Sequence, residues 1–160
     1  MAFGLLALIA AAIFTGAALY VNVAEQPARL LLDDRALLTE WKPSYKRGAG
    51  MQAPLALLGC LIGLIAWWQI SHPGFLIGAI AMIAPWPWTL IGIKPTNDAL
   101  LATEPDRARP ETRALIVKWG ALHGVRTALG ALATVAFLWA CMSRAKRGPG
   151  LPSIRIVPVR

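Results

Sequence analysis

Three sets of polar residues stand within or beside apolar stretches of the chain, and their types and spacing limit the chemistry open to it. Asn22, Glu25 and Arg29 recur at i, i+3 and i+7, which at about 100° per residue puts them on one stripe of a helix. Pro27 lies between them, removes a backbone donor and is expected to kink the helix nearby. Glu25 and Arg29, at i and i+4, also fit a plain interfacial ion pair. Trp119, His123 and Arg126 share a second stripe, which Gly130 and Thr134 continue. An arginine inside a membrane span costs roughly 2.5–3.5 kcal/mol even on the lenient insertion scale, so Arg126 should face a bundle interior and have a partner. Glu25 is the expected partner, and snorkelling to the headgroups is the alternative. The third set is Trp86-Pro87-Trp88-Thr89 followed by Lys94-Pro95-Thr96-Asn97. Pro85 and Pro87 are expected to break the backbone ladder, which a span tolerates only beside protein or a cavity, and Asn97 reads as a helix N-cap. Within these sets only the His123 imidazole has an ordinary pKa, about 6.5, suited to a base near neutral pH.

Other chemistries find no support in the sequence. The two histidines, His72 and His123, fall at opposite ends of the expected helices, so no two can share a metal, and Glu25 with His123 alone is a poor ligand set. No phosphate loop, GxGxxG, CxxC or Ser-His-Asp arrangement lies in a span. Cys60 and Cys141 fall at very different expected depths, about 20 Å apart at ~1.5 Å per residue, too far for a disulfide.

The elements that must position these residues follow from composition. Of 160 residues 57% are hydrophobic and 15% charged, which excludes a disordered chain and an ordinary soluble domain. The apolar residues fall into four runs, about 2–23, 52–70, 74–93 and 119–142, each near the roughly 20 residues that a bilayer-spanning helix needs. No Lys or Arg precedes the first run, so it reads as a span and not as a secretory signal. The net charge of +8 includes five basic and no acidic residues after Met142, a pattern of headgroup contact or topology and not of nucleic-acid binding. The chain therefore reads as all-α: an integral membrane four-helix domain over 1–143 and a basic, disordered tail over 144–160. Short amphipathic helices are expected in the two long loops, one over Leu30 to Trp41 with Trp41 and Tyr45 at the headgroups. Pro110 is expected in the first turn of the fourth helix. Gly59 with Gly63 and Gly120 with Gly124 form small-residue pairs for close helix packing. Ten of the Lys and Arg residues lie in the long loops, which the positive-inside bias puts in the cytoplasm. An even number of crossings brings Asn22, Glu25, Thr89, Asn97, His123 and Arg126 to one depth near one surface, as a polar pocket at the mouth of a bundle would require.

The segments running from Gly16 to Arg29, from Trp41 to Tyr45, from Pro87 to Thr89 with Pro95 to Asn97, and from Trp119 to Arg126 resemble those of the anthrone oxygenase-like family of small membrane proteins. The resemblance extends over about residues 3–142. It implies a four-helix membrane protein, and the family's fungal members convert polyketide anthrones to anthraquinones without a known metal or flavin. On that resemblance His123 would be the base and Arg126 and Asn22 the oxyanion partners. Glu25 would orient His123 or be the base itself. Trp86, Trp88 and Trp119 would wall the site, with Thr89 and Asn97 also in the binding set. The expected activity is that of a cofactor-independent oxidoreductase, a monooxygenase acting on a planar phenolic substrate in the bacterial inner membrane. Two other readings stay open: a non-catalytic membrane protein whose polar cluster ties helices together, and a binder of a lipid or quinone-like ligand. Its expected partners are a small aromatic or lipid-like molecule and membrane lipids, without nucleic acid.

Overall fold

The computed structural model describes residues 1–145, so the tail expected over 144–160 lies, from residue 146 on, outside the described residues. The described chain is all-α. Four helices are long and apolar enough to cross a membrane: α1 (Ala2–Arg29), α2 (Asp34–Ile70), α3 (Pro73–Ala102) and α4 (Pro110–Arg144). Each packs on its two sequence neighbours around a square, with α4 returning to α1. The buried face of α1 is almost all small, with Gly4, Ala7, Ala11 and Ala18 around Phe14. Leu5, Leu6, Ile9 and Ile13 point outward at 47–54% exposure, an apolar outer surface that suits lipid and not water.

All four helices extend well past the expected spans. At ~1.5 Å per residue α2 is about 55 Å long against a hydrocarbon core of about 30 Å. The expected long polar loop before the second span, with its separate surface helix, is not formed. Instead α1 reaches Arg29, a tight turn follows, and Asp33 caps α2 by accepting from the Ala36 N–H at 2.8 Å. Leu37, Leu38 and Trp41 are fully buried against Ile93, Leu100, Ile116 and Trp119. Their amphipathic stretch thus covers the extended ends of α3 and α4 instead of lying on a membrane. Arg113 fastens the turn to α4, with Nη1 donating to the Leu30 carbonyl at 2.8 Å and Nε to Asp34 Oδ1 at 2.6 Å.

The prolines also behave differently from expectation. Pro43 and Pro54 lie inside α2 without ending it, and Pro85 to Trp88 stays helical. The helix start expected at Asn97 is internal to α3. A wide π-helical turn, Val21–Glu25, precedes Pro27, and a second one, Thr89–Ile93, precedes Pro95. A proline lacks its own donor and clashes with the carbonyl four residues back, so the wider turn before it relieves both problems and lets the helix continue. Pro110 does begin α4 as expected. At the opposite end Ser71 adopts left-handed φ of 53°, and His72 Nδ1 accepts from the Gly74 N–H to cap α3.

Two hydrophobic cores result. The larger, around Phe14, Phe75, Met82 and Phe137, fills the middle of the bundle. Its glycines are seats for large side chains: a Cβ on Gly78 would stand 2.4 Å from Phe137, and one on Gly59 2.5 Å from Met82. The smaller core, around Trp41 and Trp119, caps the extended ends. Cys60 and Cys141 are both free and buried.

Candidate functional site

Gln26, Arg29, Gln52, Asn97, His123 and Arg126 are polar yet buried, toward the end of the bundle that holds the smaller core. Gln26 sits against Gly120, where a Cβ would come within 2.8 Å of its amide nitrogen, and donates to the Ile116 carbonyl at 2.8 Å. Asn22 lies in the wide turn of α1 and reaches α4 opposite Gly124.

His123 has a defined ring orientation. Asn22 Nδ2 donates to the Gly120 carbonyl at 2.8 Å, and a carbonyl accepts only, so the amide cannot be flipped. Asn22 Oδ1 then accepts from the Thr127 hydroxyl at 2.8 Å and faces His123 Nδ1 at 2.9 Å. In the neutral ring Nδ1 therefore carries the proton and donates it, and Nε2 keeps its lone pair. The Trp119 ring lies against the imidazole, centroids 5.0 Å apart.

A second amide repeats the device. Asn97 is not the N-cap expected of it but a mid-helix residue of α3, 2% exposed. Its Oδ1 accepts from Trp119 Nε1 at 2.9 Å, which fixes the amide, and its Nδ2 donates to the Tyr45 hydroxyl at 3.2 Å. With its oxygen accepting from Asn97, Tyr45 has its own O–H free to donate elsewhere.

The cations are held in two different ways. Arg29, almost fully buried, is paired with Glu25 and with Glu40, whose Oε2 lies 3.0 Å from Nε at an angle poor for a hydrogen bond. Ser44 also donates to Glu25. The expected ion pair of Arg126 with Glu25 is thus not formed, because Glu25 is taken by its own helical neighbour four residues on. Nor does Glu25 orient His123, since Asn22 has that place. Arg126 is 8% exposed and has neutral partners. Its Nη2 donates to Gln52 Oε1 at 3.0 Å, its Nη1 lies 3.5 Å from Thr89 Oγ1, and its Nε has no partner. Among the described residues no carboxylate pairs with it.

Arg126 lines two cavities. The larger, about 380 Å³, is lined by Glu25, Asn97, Trp119, His123 and Arg126 of the expected set, together with Tyr45, Gln52 and Ser44. Exposed Tyr20 and Met51 stand on its rim between α1 and α2. The smaller, about 160 Å³, lies between α2 and α3 and contains Trp86 and Thr89 with Ala49, Ala53, Ala56, Pro85 and Leu90. Tyr45, Ala49 and Arg126 line both. Of the expected binding residues, Trp88 lines neither cavity: it packs on Gly92 and donates from Nε1 to the Leu122 carbonyl at 3.0 Å. Asn22 also lines neither and is bonded to His123, Thr127 and the Gly120 carbonyl. No three His, Cys, Asp or Glu side chains come together as a metal centre would need, among the described residues.

Gln52, Gln26 and Tyr45 were missed by sequence reasoning. Gln52 and Gln26 flank apolar runs at the same end as His123, but neither is among the residues that spacing picked out. Tyr45 reads as a headgroup aromatic until α2 is known to continue through it.

The family model for anthrone oxygenase matches residues 41–136, more than half of the chain. The match takes in Tyr45, Gln52, Thr89, Asn97, Trp119, His123 and Arg126, and leaves α1 with Asn22 and Glu25 outside it. No curated protein and no solved structure matches the chain.

Proposed function

From the premise that the chain belongs to the anthrone oxygenase family, we propose that it is a membrane-embedded oxygenase that converts the acidic methylene of an anthrone-like, planar phenolic substrate to a carbonyl with dioxygen alone. The observation that carries the reading is His123: Asn22 holds its ring with the proton on Nδ1, beside a cavity of about 380 Å³ that also contains Arg126. That volume lies in the roughly 300–1,000 Å³ range of small-molecule pockets.

In the proposed reaction Nε2 of His123 takes a proton from the methylene between the two arene rings. The negative charge spreads to the substrate's carbonyl oxygen, where Arg126 and the Tyr45 hydroxyl donate to it. Dioxygen then bonds to that carbon to give a hydroperoxide. Loss of the second C–H proton, with cleavage of the O–O bond, releases water and leaves the new carbonyl. In sum, one methylene and one dioxygen become one carbonyl and one water. The carbon gives up four electrons and dioxygen takes four, so no external reductant is required. Trp119 forms one wall of the pocket, and Glu25 serves to neutralise Arg29 instead of acting as the base.

The cavity, and an Arg126 whose hydrogen bonds are incomplete, support a ligand-binding site over a polar cluster that only ties helices together. A binder of a quinone-like ligand shares the pocket with the oxygenase reading and differs in turnover. The proposed location is a bacterial cell membrane, with the polar end in the cytoplasm, on the strength of the basic residues gathered there. The test is oxygen uptake and anthraquinone formation by the purified protein in lipid nanodiscs given anthrone. Turnover above the spontaneous rate that is insensitive to chelators and lost by about 10²- to 10⁴-fold in His123→Ala is the expected result. Bound product without turnover would leave only a binder.

A further inference from the structure

The smaller cavity differs from the larger in ways that suit a different occupant. Its walls are apolar apart from Tyr45, Thr89 and Arg126, and at about 160 Å³ it has less than half the volume of the space next to His123. Leu90 and Trp86 on its outer side are 59% and 42% exposed, on the face between α2 and α3 that an apolar surround would cover. Tyr45, Ala49 and Arg126 line both spaces and form their common boundary. At that boundary stands a guanidinium more than nine-tenths buried, with neutral partners and an Nε that donates to nothing. A buried cation in this state is stabilised by any negative charge that forms beside it.

Resting on the oxygenase reading above, we propose that dioxygen occupies the smaller cavity, which it enters from the lipid between α2 and α3, and meets the substrate anion at Arg126. Dioxygen is uncharged and apolar and dissolves better in hydrocarbon than in water, so an apolar recess opening onto lipid collects it. Once His123 has taken the first proton, the substrate carbanion passes one electron to dioxygen, giving a carbon radical and superoxide. The two radicals couple, forming the C–O bond of a peroxide anion, and that anion takes the proton back from His123 to become the hydroperoxide. The negative charge begins on the substrate in one cavity and moves to oxygen in the other. Because Arg126 lines both, the same cation remains beside it throughout.

The test separates proton abstraction from oxygen capture. Without oxygen, the enzyme in nanodiscs in deuterium oxide should exchange the methylene hydrogens of anthrone for deuterium, a reaction that needs His123 and no dioxygen. Ala53→Phe fills the smaller cavity from α2, and Leu90→Phe narrows it from the lipid-facing rim of α3. Either variant is expected to raise the KM for dioxygen at least tenfold and to leave both anaerobic exchange and the KM for anthrone within twofold of the parent. If Ala53→Phe does not fold, Leu90→Phe decides. An unchanged KM for dioxygen, or exchange slowed in step with oxidation, overturns the inference while the oxygenase reading stands. Absence of catalysed exchange and oxidation in the parent protein overturns the oxygenase reading itself.

Discussion

Asn22 carries no charge and lines neither cavity, yet its replacement is expected to damage the reaction severely. In Asn22→Leu the His123 Nδ1–H loses its acceptor, and the ring is free to carry its proton on Nε2, the position that must be empty. By analogy with the loss of a tautomer-fixing partner in other catalytic sites, kcat should fall by about 10- to 10³-fold with KM little changed. Steady-state kinetics of the folded variant check this. A second expectation concerns Arg126, whose best partner is the neutral Gln52. Hydrogen bonds to charged groups contribute roughly 1.5–3 kcal/mol, so Gln52→Leu should destabilise by about that amount. Arg126→Met added to it should restore most of the loss, since no buried charge is then left without an acceptor. Thermal unfolding of the two single variants and the double variant in detergent gives the coupling. At this scale the sequence disclosed which residues gather but not how they pair. The stripe of Trp119, His123 and Arg126 is plain from spacing, as is the common depth of Asn22 and Thr89. That Arg29 and not Arg126 takes Glu25 depends on a competition between an i,i+4 neighbour and a residue on another helix, which residue types alone do not decide.

Helix lengths were the least legible feature, and the reason is visible in α2. Charged residues between Asp33 and Arg47 read as loop, because a hydropathy pattern sees a bilayer's thickness and not a helix that continues beyond it. The wide turns had a similar effect on phase. A constant 3.6-residue period carried from Ala18 along α1 points to Glu25 as the next inward residue, whereas the additional residue in the Val21–Glu25 turn brings Gln26 inward instead. Of the glycines expected at packing positions, Gly59, Gly63 and Gly120 would each bring a Cβ within 2.8 Å of a neighbour, whereas Gly124 would not, and such surroundings rank the glycines. Gly78→Ala would place a Cβ 2.4 Å from the buried Phe137 and is expected to cost about 1–3 kcal/mol through overpacking. Gly124→Ala meets nothing nearer than 3.9 Å, although it lies one residue from His123. It should leave stability within about 0.5 kcal/mol. Thermal melts of the two variants measured side by side check the ranking.

Among the described residues the bundle gathers most of its charged side chains at one end, and the two ends should label on opposite sides of a membrane. With buried Cys60 and Cys141 shielded, single cysteines at exposed Thr39 and Glu104 are expected to react with an impermeant thiol reagent from the same side. One at exposed Ser71 should react from the other. Shared labelling of all three positions would remove the common depth on which the site depends. The four long apolar helices could be counted from the sequence, because apolar runs of bilayer length have few other uses. The second core at the polar end could not, since most of its residues, such as Leu37, Trp41, Leu100 and Ile116, fall outside the expected spans. The rim of the larger cavity, where exposed Tyr20 and Met51 face outward between α1 and α2, has a consequence for how such a protein experiences concentration. A ligand entering there is counted per lipid and not per litre. At fixed total substrate, adding empty micelles or vesicles should slow the reaction by surface dilution, and a KM expressed as mole fraction in the lipid should stay constant where one expressed in molar units drifts.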